Sequence, residues 1–130
     1  MPNYMLLFYA DEADAAETAR RNAERPEWME RAEELSARGA LLASGRLHPS
    51  ETATTVRVAD GETELTDGPF AVTKEILGGY WLIEVADLDE AVKIAASIPL
   101  ARYGKVEVRP EMSLEEAMQA GEEAAAASGA

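Results

Sequence analysis

Side chains able to do chemistry are few in this 130-residue chain, and most of them fall between residues 46 and 75. His48 is the sole histidine. Imidazole ordinarily titrates near neutrality, which makes His48 the natural proton-transfer candidate. Asp67 opens the motif in TDGPFAVTKE, residues 66–75, and could orient that imidazole or act as a base itself. A His48–Asp67 pair is therefore the sharpest catalytic reading. A plain structural account competes with it: Asp67 caps a turn, Gly68 takes a positive φ, Pro69 fixes the next φ, and Phe70 anchors the loop in the core. On composition alone that structural account is favoured. Lys74 and Glu75 read either as a solvated pair of little energetic weight or as an anion-binding lysine held by its neighbour. Tyr9, Arg46 and Phe70 complete the candidate ligand-binding set with Lys74 and Glu75, and Arg102 is a further polar group of the same kind.

Other chemistries lack their signatures. There is no cysteine, and one histidine among scattered acids gives no recognisable ligand spacing, so no metal is expected. Gly78-Gly79 leads into a strand, unlike a phosphate loop, and no nucleophile elbow occurs, so no cofactor is expected. The net charge is −13, from 25 acids and 12 bases, without a basic stripe interleaved with aromatics. That balance argues against direct nucleic-acid binding. No apolar run approaches a membrane span, and the N-terminus lacks the features of a secretory signal, which makes the cytoplasm the expected location.

The elements that must position these groups follow from periodicity. YMLLFYA (4–10) reads as a strand, and residues 13–38 as helix broken near Arg25 by Pro26. In the second piece Trp28, Met29, Ala32 and Leu35 share one side, and Gly39 stops the helix. ALLASGRL (40–47) is a strand ended by Pro49. The Asp60-Gly61 turn makes a hairpin in which Val56 faces Leu65, Val58 faces Thr63 and Arg57 faces Glu64. GGYWLIEVA (78–86) and KVEVRP (105–110) are strands around a helix at 87–98 with a capping box, Asp87 to Glu90, and an apolar stripe of Leu88, Ala91, Val92 and Ala95. Residues 111–130 hold five acids and no base, and read as an extension that Ser113 and Glu116 make partly helical. With the hairpin set aside the order is βαββαβ, an α+β ferredoxin-like arrangement. Helices cover one face of such a sheet, so the other face, expected to carry Val56 and Val58, needs a second subunit. A homodimer is expected.

YMLLFYADE, GALLASGRLHPSETATTVRVADGE, TDGPFAVTKEILGGYWLIEVADLDEAVKIAASIP and KVEVRP together resemble the DGPF-domain branch of the YCII-related family, over roughly residues 3–110. The resemblance implies a dimeric α+β barrel of ferredoxin-like subunits, in a family whose members are mostly uncharacterised and often encoded beside extracytoplasmic-function sigma factors. Shorter YCII proteins are proposed to use a His–Asp dyad with the histidine in an R-P-x-H motif. In RPEWMERAEEL that place is held by Trp28, so the dyad does not carry over. Many DGPF proteins read DGPFAETKE, where this chain has Val72. Two functions from different classes are expected. One is a dimer binding a small organic molecule in a cleft, with cofactor-free acid–base chemistry. The other is a non-catalytic interaction or regulatory protein of a sigma-factor system, turning its acidic surface to a basic protein partner.

Overall fold

The computed structural model describes residues 1–129. Strand β1, Asn3–Asp11, alternates as a half-buried strand should: Tyr4, Leu6, Phe8 and Ala10 are buried, while Met5, Leu7 and Tyr9 on the other side are partly covered. Helix α1, Ala15–Asn22, starts where the Asp14 carboxylate accepts the Glu17 N–H at 2.8 Å. The chain breaks at Ala23-Glu24 and restarts as α2, Arg25–Ala37, with Pro26 in the first turn, where its missing N–H costs nothing. Helix α2 ends in paired bonds from the Ala40 N–H to the Leu35 carbonyl (2.8 Å) and from the Gly39 N–H to the Ser36 carbonyl (3.0 Å).

Strand β2, Leu41–Arg46, leads through a single 3-10 turn at Ser50–Thr52 into β3, Thr54–Ala59, and β4, Glu62–Asp67. Strand β5, Glu75–Glu84, follows, then α3, Leu88–Ser97, a 3-10 turn at Pro99–Arg102, β6, Lys105–Pro110, and α4, Leu114–Ala127. Four strands form one antiparallel sheet in the order β2-β5-β1-β6, and β3-β4 stand apart as a separate hairpin. This is the ferredoxin-like α+β fold with a hairpin inserted between β2 and β5. Within one chain the sheet is open, not a closed barrel.

One face of the sheet packs under α2 and α3. Leu6, Ile83, Val85 and Ile98 are fully enclosed there, and Phe8, Trp28 and Trp81 meet edge to face with centroids 5.2 to 5.8 Å apart. Each such contact adds about 0.5–1.5 kcal/mol beyond burial. Two expected stripes hold in part, with Trp28, Ala32 and Leu35 in α2 and Ala91 and Ala95 in α3 turned to the core. Met29 is exposed, and in α3 Leu88 and Val92 are half-exposed while Ala91, Ala95 and the flanking Ile94 and Ile98 face the core. Two alanines at the contact let α3 lie close to the sheet, so the long side chains beside them point outward.

Among the described residues no helix covers the opposite face. It carries Met5, Leu7, Tyr9, Tyr80 and Leu82, all partly exposed. Val56 and Val58 do not belong to it, because the hairpin leaves the sheet altogether. The hairpin register matches the expectation, with Val56 opposite Leu65, Val58 opposite Thr63 and Arg57 opposite Glu64, and with Asp60 and Gly61 at positive φ in the turn. The chain exposes 9105 Å². A compact chain of 14.0 kDa would expose about 6,700 Å², so roughly 2,400 Å² is in excess. The hairpin and α4 both contribute to it. Helix α4 has a complete capping box at Ser113 and Glu116 but packs substantially on no other element, leaving Leu114 and Met118 exposed. Among the described residues no helix is long and apolar enough to cross a membrane.

Candidate functional site

Because every neighbouring pair of strands is antiparallel, β1 and β2 end where β5 and β6 begin. Asp11 pairs with Glu75, and Tyr9 with both Leu77 and Lys105. The whole segment from Leu47 to Lys74, hairpin included, springs from that end of the sheet. A cleft of about 390 Å³ opens there, lined by Tyr9, Glu75, Lys105, Val106 and Glu107. By register Tyr9, Lys105 and Glu107 share the face that no helix covers.

The cleft sets a phenol, two carboxylates and an ammonium together, while the Val106 side chain between them packs against the core from the other face. Glu75 and Lys105 form an ion pair, with 27% and 74% of the two side chains exposed. So exposed a pair contributes little by itself and can exchange partners with a bound molecule at small cost. Gly104 fixes the position of Lys105. A Cβ there would stand 2.2 Å from the Tyr9 carbonyl oxygen, so only glycine lets the chain enter β6 this close to β1. The Gly104 N–H is held by the Leu100 carbonyl at 2.7 Å.

Of the residues singled out above, Tyr9 and Glu75 meet in this cleft. Lys74 does not hold Glu75. It is exposed and makes no ion pair among the described residues, because strand β5 starts at Glu75, three residues earlier than expected, and neighbours in a strand point to opposite faces. Arg46 pairs with Gly79, which itself faces Phe8, so it lies on the helix side of the sheet, across from Tyr9.

His48 is exposed on the loop after β2, whose root is tied by the Leu47 N–H to the Gly78 carbonyl at 2.9 Å. Asp67 is exposed at the end of β4, opposite Thr54. Among the described residues no hydrogen bond joins the two, and the Asp67 carboxylate caps nothing. The turn is held by other groups: the Gly68 N–H donates to the Ala53 carbonyl (2.7 Å) and the Thr55 hydroxyl donates to the Gly68 carbonyl (2.9 Å). Gly68 does have the positive φ, 96°. Phe70 is not a core anchor. It is 90% exposed, because β4 belongs to the projecting hairpin and the chain after Gly68 never reaches the core.

The one sequence signal for Lys105 is the alternation in KVEVRP, which places Lys105 and Glu107 on one face. A second charged cluster, without a motif of its own, lies on the helix side. Arg20 and Arg21 stack over the Tyr103 ring at 4.7 and 4.9 Å, and Glu17 binds both. The hydrogen bond from Arg20, helped by Arg21, lowers the Glu17 carboxyl to about 2. Burial first, then Glu24, pushes the Tyr103 phenol above its usual range. Arg102 pairs with Glu27. These contacts staple α1 and α2 to the turn that leads into Gly104, and so support β6 from behind.

A family model described as YCII-related domain matches residues 3–115. An uncharacterised protein of Rhizobium meliloti strain 1021 is 47% identical over 74 residues. That match covers 55% of this chain and 60% of the relative, so the chain spans less than two thirds of the relative's length.

Proposed function

The chain belongs to the YCII-related family, and from that premise we propose that it works as a homodimer binding a small organic molecule in the cleft at the end of its sheet. The observation that carries this reading is the cleft itself: Tyr9, the Glu75–Lys105 pair and Glu107 gathered on the face that lacks a helix layer. A polar head would exchange into the ion pair, and an apolar body would lie along the Tyr9 ring and the neighbouring Leu77. Glu75 and the Tyr9 phenol are the groups placed to pass a proton to such a molecule without a cofactor, with His48 on the loop from the same sheet end as a further proton carrier. The excess surface supports the dimer, since lasting homodimers bury on the order of 2,000–5,000 Å² in total.

Native mass spectrometry of protein purified from its own host identifies the molecule. Light scattering reports about 28 kDa, twice the 14.0 kDa chain. Lys105→Ala and Glu75→Gln each weaken binding about tenfold or more, as removal of a charge-assisted hydrogen bond does. A monomer, or two variants that hold the molecule as wild type does, would sink the reading.

A second reading is favoured by α4. Its exposed Leu114 and Met118 are flanked by Glu115, Glu116, Glu122 and Glu123, which suits a basic protein partner, such as one belonging to an extracytoplasmic-function sigma-factor system. Removing residues 111–130 then abolishes capture of that partner and leaves small-molecule binding intact. Loss of small-molecule binding in the truncated protein would count against this division of labour.

A further inference from the structure

The hairpin is the part of the chain that its own body leaves unexplained. A two-stranded hairpin is marginal in water unless something covers one of its faces. Here β3 and β4 make extensive contact only with each other, and Val56, Val58 and Leu65 on one face are 60%, 66% and 68% exposed. At the hairpin's root Phe70 and Val72 are 90% and 94% exposed. The covered state must therefore involve another molecule. We propose that the hairpin is an exchanged arm, whose apolar face lies on a second copy of this chain. This rests on the homodimer proposed above and says which element locks it.

Charge fits a second copy docked through this face. Two chains of −13 repel each other, which favours a meeting surface with few acids. The apolar face of the hairpin carries Thr54, Val56, Val58, Thr63 and Leu65, with Asp67 only at its root. Arg57, Glu62 and Glu64 all lie on the other face. Area argues the same way, because the excess surface is of the size one subunit contributes to a lasting homodimer. So does reach. Each six-residue strand spans about 20 Å, enough to lie along a neighbouring sheet, and the arm leaves from the sheet end that borders the uncovered face.

The chain contains no cysteine, so a single introduced thiol reports its own position. Thr63→Cys samples the apolar face without removing an apolar residue, Val58→Cys samples it directly, and Arg57→Cys samples the opposite face one residue away. In protein that scatters as a dimer, Thr63→Cys and Val58→Cys react with a thiol reagent about tenfold more slowly than Arg57→Cys, as protected groups do. Dilution to monomer removes the difference. Equal rates in a confirmed dimer overturn the exchanged arm and leave the homodimer standing. Protection that survives dilution places the arm on its own copy and also overturns the inference. A protein that is monomeric at every concentration overturns both.

Discussion

At Gly104 the absence of one methyl group decides where Lys105 stands, since any Cβ would run into the Tyr9 carbonyl oxygen at 2.2 Å. Gly104→Ala is expected to cost about 1–3 kcal/mol in urea denaturation, as overpacked sites do, and to displace Lys105 from Glu75. A variant of wild-type stability would contradict that. Gly68, at φ 96°, should lose on the order of 1 kcal/mol on replacement by alanine, while Asp67→Asn, whose carboxylate holds nothing, should leave the urea midpoint unchanged. The candidate site was half legible. Tyr9 and Glu75 have the right types, but the partner of Glu75 lies 30 residues on, across an intervening strand, and sequence adjacency pointed to Lys74 instead. A His48–Asp67 pair would need both residues at the root of the hairpin. The root that returns is Ala53 with Gly68, because the 3-10 turn at Ser50–Thr52 uses up the residues between.

Among the elements, α2 and α3 are joined by one exposed clamp. Glu90 accepts the Ala86 N–H at 3.0 Å and the Arg38 guanidinium at 2.8 Å. The bond from Ala86 first, and then Arg38, holds its carboxyl below the usual 4.5. A carboxyl depressed in the folded state contributes stability that is fully present above the ordinary value and is lost as pH falls through the depressed one. Glu90→Gln should therefore lower Tm at neutral pH, and the gap to wild type should close as acidification passes below the ordinary carboxylate range. A gap that stays constant would show that the clamp is not ionic. Elements of this kind were readable because their signals are local: Asp87 and Ser113 cap where the sequence places them, and Asp60-Gly61 sets the whole hairpin register. The buried face of α3 was readable only in part: Ala91 and Ala95 are buried as the stripe predicts. Leu88 and Val92 fit a helical stripe as well as Ile94 and Ile98 do, and only packing on the sheet selects between them.

For the whole molecule, the charge sets an unusual condition on assembly. A dimer would carry −26, and its subunits would associate against their own field. Raising salt from about 20 mM to 0.5 M shortens the screening length several-fold, so the dissociation constant measured by sedimentation should fall. A constant that rises would mean that ion pairs between copies dominate the interface. Layer counting from the sequence leads to an uncovered sheet face, and the sheet has one, carrying Met5, Leu7, Tyr80 and Leu82. What layer counting missed is that the exposed valines sit on a projecting arm. The sheet also has a temporal side. Its inner strand β1 is the first made, yet it needs β6, which brings Tyr4 against Pro110 from more than a hundred residues away. Closing so long a loop precedes any gain from the pairing, which puts folding in the slow, non-local class. Until β6 arrives, β1 has an open edge beside the Phe8 and Leu6 side chains, and during that interval a half-made chain is most prone to pair with the wrong neighbour.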